Sequence, residues 1–476
     1  MVRVISQPLR HGAWALVVLW PLGCGAAQAA QAADTSAAPA RPALKANRWQ
    51  EDWSVLGNPA VAREPLDSLK YIRLSAHDPQ RYLSLGATLR ERFEMNNAKD
   101  FGTRGIQRDR WLIQRLHVHA DLHLNEHWRV FTQLEDARAF DKGTVGGADQ
   151  NHLDLRLAFA EYVTTLGGHT FKARAGRQDF AFDLQRFVSS RDGPNVRQSF
   201  DAVWADWETP LWRFIALASH PVQYQDERHF DDKSNSDVAF HMLRVERLVG
   251  GKNELSAYYG LYEERDAGYL DAEGNEHRSI FDARLGGSSG GYDWDLEAML
   301  QRGSVGPKDI HAWAAGSRTG YTWASLPWSP RLGLQVDAAS GDGHSGDGNL
   351  GTFNPLFPNG YYFSLAGYTG YSNLYHVKPS LTVKPLAGLS VQAAVGLLWR
   401  QTTEDAVYTQ PNLPVANTAG QGGRWTGYYT QLRTDYAFNR HLSGAVEAVH
   451  YEAGAALRDA GGHDSNYLGL ELKFMY

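Results

Sequence analysis

From Arg81 to its last residue, this 476-residue chain places apolar side chains at every second position in run after run. Successive side chains of a β-strand point to opposite faces, so a period of two predicts strands with one apolar and one polar face. The final run is the clearest: Leu468, Leu470, Leu472, Phe474 and Tyr476 alternate with Gly469, Glu471, Lys473 and Met475. Near the start, Leu83, Leu85, Ala87, Leu89 and Phe93 oppose Ser84, Thr88, Arg90, Arg92 and Glu94. Comparable runs fall near 111–124, 128–137, 151–163, 171–176, 202–207, 212–219, 237–248, 254–262, 278–286, 292–302, 309–323, 331–339, 373–384, 389–402, 425–438 and 442–451. The total is about eighteen, an even number near the size at which a closed barrel surrounds an aqueous channel.

The connections between these runs have a parity. Short turns fall at Asn125, Gly167, Thr209-Pro210, Gly250-Gly251, 288–290, 326–330, 385–388 and Asn439-Arg440, and the intervening connections are mostly longer, with the one after Arg302 the weak case. Outer-membrane barrels carry short periplasmic turns and longer external loops, whereas a soluble sandwich or propeller gives no reason for the rhythm. The predicted fold is therefore all-β, a transmembrane antiparallel barrel. The 12% aromatic content, 47 glycines and five methionines fit many short strands. The net charge of -6 argues against a nucleic-acid partner. The mean hydropathy of -0.43 argues against helical spans, but barrel strands show only alternate residues to lipid. Tyr476 after Phe474 resembles the assembly signal of Gram-negative outer-membrane proteins, implying outer-membrane location, lipid contact and the barrel-assembly machinery as a partner. Trp207, Trp294, Trp323, Trp399 and Tyr436 are expected at the headgroup level.

Ahead of the strands, Arg3, Arg10 and His11 precede the apolar run 13–22, with Ala-x-Ala choices at 27–29 and 30–33, the pattern of a cleaved secretory signal over residues 1–33. The single cysteine, Cys24, lies inside it, so the mature chain is expected to lack thiol chemistry. Residues 34–80 read as a periplasmic segment, with Trp49, Trp53, Leu56, Leu66, Leu69 and Tyr71 suited to short helical turns or to packing on a wall, and 81–476 as the barrel.

Between the runs at 171–176 and 202–207 lies a connection too long for an ordinary hairpin, in which Arg177, Arg186, Arg191 and Arg197 alternate with Asp179, Asp183, Asp192 and Asp201. The run AGRQDFAFDLQRFVSSRDGPNVRQSFDAVW resembles the signature of the alginate-export family of outer-membrane porins, with Gly176, Arg177, Gln178, Arg186, Arg191, Asn195, Arg197, Phe200 and Asp201 matching the pattern. LGTFNPLFPNGYYF, residues 350–363, is a second match. The resemblance spans about Trp49 to Tyr476 and implies a monomeric barrel whose basic lumen passes an acidic polysaccharide such as alginate; a porin for small anionic or aromatic nutrients is the alternative.

Guanidinium groups bind carboxylates in a planar two-bond geometry and stay charged at physiological pH. The expected pore lining is therefore Arg90, Arg92, Arg115, Arg129, Lys172, Arg174, Arg400 and Arg433, with Arg177, Arg186, Arg191 and Arg197 forming a constriction and Asp179 and Asp201 pairing with some of them. The bland alternative is that these charges neutralise one another in a solvated wall. His117, His119 and His123 share a strand face with Asp121, better read as polar lining than as a metal site, since no ligand on a second strand is evident. GDGHSGDGN, residues 341–349, offers Asp342, Asp347 and Asn349 as weak calcium candidates at a spacing that matches no EF-hand. No cofactor is implied. Gly286-Gly287-Ser288-Ser289-Gly290 spells Gly-x-Ser-x-Gly but falls in a short turn between two strand runs, not at a strand-to-helix elbow, and a barrel enzyme is not the expectation.

Overall fold

The computed structural model describes residues 41–103 and 108–476; the signal-peptide reading and Cys24 fall outside them. Eighteen strands form the barrel: β1 (Tyr82–Asn96), β2 (Asp109–His123), β3 (Trp128–Phe140), β4 (Asn151–Leu166), β5 (His169–Gln178), β6 (Phe200–Glu208), β7 (Trp212–Gln223), β8 (Val238–Leu248), β9 (Glu254–Gly268), β10 (Glu273–Ser289), β11 (Tyr292–Val305), β12 (Lys308–Thr322), β13 (Arg331–Ala339), β14 (Leu374–Val383), β15 (Leu389–Trp399), β16 (Trp425–Ala437), β17 (Leu442–Ala453) and β18 (Ser465–Met475). Each pairs antiparallel with its sequence neighbour, and β1 closes on β18 from Thr88↔Met475 to Asn96↔Tyr467. Closure leaves no free edge, and the last apolar run forms the seam.

The alternation decides which side chains meet lipid. Leu243, Val203, Phe281 and Leu472 are exposed on the outward parity, whereas Arg92, Glu135, Asp282 and Glu447 on the inward parity are buried. β9 and β10 run well past the expected 254–262 and 278–286, to Gly268 and back from Glu273. Their extra turns of pleat carry Glu263 and His277 on the outward face, 3.1 Å apart. Above the hydrocarbon both faces are wet, so the apolar half of the pattern stops before the strand does.

At the short-turn end residues 41–81 meet the C-terminal Tyr476. Residues 41–81 form the short helical turns Arg48–Gln50, Ser54–Gly57 and Asp67–Lys70 and lie against the inner wall. Trp53, Leu56 and Val61 bury with Tyr82. Trp49 stands edge-on to Phe159 of β4 and under the Arg174 guanidinium, 4.0 Å from its ring centre. Gly86 allows this approach, because a Cβ there would collide with Lys70 Nζ, His119 and the carbonyl of Tyr476.

Candidate functional site

Two long connections at the other end turn into the lumen. Residues 179–199, between β5 and β6, and residues 340–373, between β13 and β14, carry the two sequence signatures, and the signatures interlock. Ser189 N donates to Phe357 O and Phe357 N to Phe187 O, both at 2.9 Å, and Asn359 N donates to Gln185 O at 3.2 Å. Around this miniature ladder Phe180, Phe187, Phe200, Phe353, Phe357 and Tyr371 are buried in one apolar cluster. A barrel this wide would enclose water if only strand side chains filled it; here one sector is packed by the loops.

Arg186 fastens this plug. Its fully buried guanidinium donates to Tyr362 Oη at 2.5 Å, to Asp295 Oδ1 at 3.0 Å and to Glu297 on β11. Asp183 is held by Arg244 of β8 at 2.7 and 2.8 Å and by Arg284 of β10 at 3.1 Å. On the opposite wall Arg90 and Arg115 donate to the backbone carbonyls of residues 192–195, so these two lumen arginines hold the loop by its main chain. Gly193 is required there, since a Cβ would run into the Tyr361 ring.

At this crossing sits Asp192. Its carboxylate accepts from Arg115 Nη2 at 2.6 Å and lies 3.4 Å from Arg197 Nε and 3.9 Å from Lys473 Nζ of β18. The Asp192 side chain is 36% exposed while that of Arg115 is 2% exposed, so the anion faces water and the cation stands behind it. Burial pushes the Asp192 carboxyl up, but Arg197, Arg115, Lys473 and Arg90 together outweigh it and hold it well below the usual carboxylate range.

The other expected pore residues divide by what they touch. Arg92 faces the lumen but is engaged by Glu94 at 2.7 Å, Glu447 at 2.5 Å and Glu471 at 3.2 Å. Arg129 clasps Asp121 with two 2.6 Å bonds, Arg174 pairs with Glu161, Lys172 lies 3.3 Å from Glu208, and Arg433 meets Asp435 at 2.7 Å and Glu447. Asp179 is gripped by Arg156 and by Arg197 at 3.3 Å, and accepts from Trp49 Nε1 at 2.8 Å. Arg197 also reaches Asn47 Oδ1 at 2.8 Å. The half-buried Arg191 has no ion pair among the described residues.

Two expectations are corrected. Arg177 and Asp201 pair with each other at 2.9 Å on the outward parity, opposite Ala158, because the register that turns Lys172 and Arg174 inward turns Arg177 out. Arg400 lines no constriction: it ties the 400–424 connection together through carbonyls that include Asp405 at 3.2 Å and Gly423 at 2.7 Å. In the 341–349 loop, Asp347 accepts from Asn349 N at 2.7 Å and from Asn349 Nδ2 at 3.3 Å, so these two weak calcium candidates are taken up with each other, while the buried Asp342 receives His344 N at 3.4 Å. The histidines on β2 disperse, His117 to Glu135 at 2.6 Å and His123 onto the Tyr82 ring. Lys473, Arg156 and Tyr361 complete the charged crossing without being flagged by the sequence; inward parity on β18 was the available signal for Lys473.

A closed eighteen-stranded barrel with a lipid-facing apolar belt, a charged interior and inward-folded loops defines an outer-membrane channel. The chain belongs to the alginate-export family, whose pattern matches residues 81–471. No curated protein sequence matches it. Among solved structures, Pseudomonas aeruginosa OccK2 (OpdF) in complex with glucuronate aligns with TM-score 0.55 and 13% identity over 83% of this chain and 98% of that one. Pseudomonas aeruginosa OpdK with vanillate aligns with TM-score 0.56 and 11% identity over 83% and 98%. Acinetobacter baumannii OccAB3 gives 0.56 and 11% over 83% and 99%. At these identities the likeness concerns the fold alone.

Proposed function

We propose that this channel passes anionic solutes bearing sugar-type carboxylates, and that it acts by conduction without catalysis. The observation that carries the reading is the water-facing Asp192 carboxylate seated against Arg115, Arg197 and Lys473. A place that fits one carboxylate so well suits a passing one, since guanidinium pairs are charge-assisted and directional. The 340–373 loop also reaches the β12, β14 and β16 walls, where Arg318 donates to Tyr362 O at 3.1 Å and Lys378 and Tyr429 to Phe363 O at 2.7 Å, so the lumen is narrowed at the level of Asp192. Away from that level the charged wall pairs are wetter: Asp293 and Arg331, 2.5 Å apart, Arg433 with Asp435, and Lys172 with Glu208. The even mixture of signs in this wall supports transient rather than tight binding of each carboxylate.

The glucuronate and vanillate complexes of the OccK2 and OpdK barrels support a second reading in which the cargo is a small carboxylate instead of a polymer. Single-channel recording with the purified protein separates the two. Block that strengthens steeply from glucuronate through an oligouronate series supports polymer passage; equal block by monomer and oligomer supports the nutrient reading; no block by either, in a conducting channel, refutes both.

A further inference from the structure

When the 179–199 connection turns inward, β5 and β6 end at Gln178 and Phe200, and the upper part of β4 loses its neighbour. The connection between β7 and β8, residues 224–237, covers that gap. Phe230 N donates to Leu153 O at 3.2 Å and Asp232 N to Asp154 Oδ2 at 3.1 Å. This brings three carboxylates together: one oxygen each from Asp154, Asp231 and Asp232 lies within 4.8 Å of the others. Oxygens around a calcium ion sit 2.3–2.6 Å from it, so two ligands on opposite sides are about 5 Å apart, and this spacing admits such an ion.

Like charges do not gather without a counter-charge, and none is supplied. None of the three carboxylates lies within ion-pair distance of a lysine or arginine among the described residues; the neighbouring Arg177 donates to the Asp232 carbonyl and pairs with Asp201. Their recorded donors are neutral amides: Leu155 N to Asp154, Gln225 N to Asp232 and Arg228 N to Asp231. A fourth oxygen points the same way. Asn151 is 2% exposed and its amide is directed at the cluster, Nδ2 donating to Asp232 Oδ2 at 2.8 Å, yet its Oδ1 has no hydrogen-bond partner. Asp231 Oδ1 is also buried without one. A buried polar atom left unpaired costs about 1–3 kcal/mol, and two in one acidic cluster call for a missing ligand.

We propose that Asp154, Asp231 and Asp232, with Asn151 Oδ1, form a divalent-cation site of calcium type on the external side of the barrel. All-oxygen donors select a hard cation, and carboxylates that sit in a loop and one strand give the flexible geometry calcium accepts. The ion bridges the 224–237 connection to β4 and clamps the patch over the gap.

The test is isothermal titration of calcium chloride into chelator-stripped, detergent-solubilised full-length protein. One site is expected, with Kd in the range of about 10⁻⁴–10⁻³ M typical of extracellular modules. D231N/D232N should weaken binding at least tenfold, whereas D342N/D347N in the other acidic loop should leave it unchanged. Calcium should also slow tryptic cleavage at Arg228 and Lys233 in the wild type and not in D231N/D232N. Should that double variant fail to show the heat-modifiable migration of a folded barrel, N151A reads the same site with a severalfold loss. No binding by the wild type up to about 10 mM, tenfold above that range, would overturn the proposal, as would undiminished binding in folded D231N/D232N or N151A, or loss of binding in D342N/D347N.

Discussion

Replacing Asp192 with asparagine keeps the shape of the crossing and removes one charge. Arg115, Arg197 and Lys473 lie 2.6, 3.4 and 3.9 Å from the Asp192 carboxylate, and of these, among the described residues, Arg197 alone keeps a second carboxylate within ion-pair distance, Asp179 at 3.3 Å. The substitution therefore exposes about one unbalanced positive charge to the lumen. For a permeating carboxylate that comes to 4 Å, a unit charge is worth about 1 kcal/mol in bulk water and about 4 kcal/mol at an effective dielectric constant of 20. The lower figure already changes the local anion concentration about fivefold and works against cations by the same factor. Reversal potentials under a KCl gradient should thus shift toward the chloride potential in D192N, strongly at 0.1 M and weakly at 1 M, where the Debye length falls from about 10 to about 3 Å. The wild type carries a pH signature as well. A carboxyl held below its ordinary value keeps its charge as pH falls through about 3.9, where a free aspartate is half protonated, so the selectivity contribution of Asp192 should persist at pH 4. If the reversal potential of folded D192N matches the wild type at 0.1 M salt, Asp192 is off the ion path and the carboxylate-seat argument fails.

Arg191→Ala should shift selectivity toward cations, because Arg191 has no ion pair among the described residues, whereas Arg177→Ala should leave it unchanged, its charge being matched by Asp201 on the outward face; the same gradient recordings compare them. Arg186→Ala strands Glu297 without its buried guanidinium while Asp295 keeps Arg284 at 2.6 Å, a loss of about 3–5 kcal/mol by the usual cost of breaking a buried pair, and should release the plug, read as new protease cuts within 179–199 and a larger, noisier conductance. Lys70 is buried with no hydrogen bond, between the Trp53 and Tyr476 rings, and burial followed by the charge of Arg48 pushes its ammonium down to about 7. Its ordinary value is about 10.4, so between those values the undocked segment binds a proton the docked one does not, and docking should strengthen as pH rises from 7 to 10. Tryptophan fluorescence in urea titrations at the two pH values should show that rise in the wild type and lose it in Lys70→Met.

The wall was legible because lipid enforces it: outward residues such as Leu470 and Leu472 must be apolar at every second position, and that constraint prints itself on the chain. The interior prints less. Arg92, Arg129 and Arg174 read alike as inward cations, but whether a guanidinium serves a passing solute or a neighbouring carboxylate depends on register across strands, as with Arg92 and Glu447, which are 355 positions apart. Arg177 was misplaced by one step of parity: the run ending at Gly176 turns Lys172 and Arg174 in, and its next residue faces out. Asp154 and Asp232 stand 78 positions apart and meet only because an inward loop opens a gap in the wall, an event no local pattern announces.

The docking of residues 41–81 beside the last strand has a consequence for the order of biogenesis. Residues 41–81 rest on surfaces that exist only after closure: Arg48 donates to Thr88 Oγ1 of β1 at 3.2 Å, Trp49 meets Phe159 of β4, Tyr476 Oη donates to Leu66 O, and Arg440 at the β16–β17 turn binds Glu64 at 2.8 Å. A segment that precedes every barrel strand in the chain is therefore among the last to find its place, after the final strand has zipped onto the first. Once it docks, Lys70 sits over the ring of Tyr476 at 4.6 Å and the terminal aromatic is engaged from within. The last residue is thereby held twice, its backbone by Ala87 of β1 at 2.8 Å and its ring by the docked segment. Folding in this chain then acts as a ratchet, with the seam locked by the part of the molecule that waited for it.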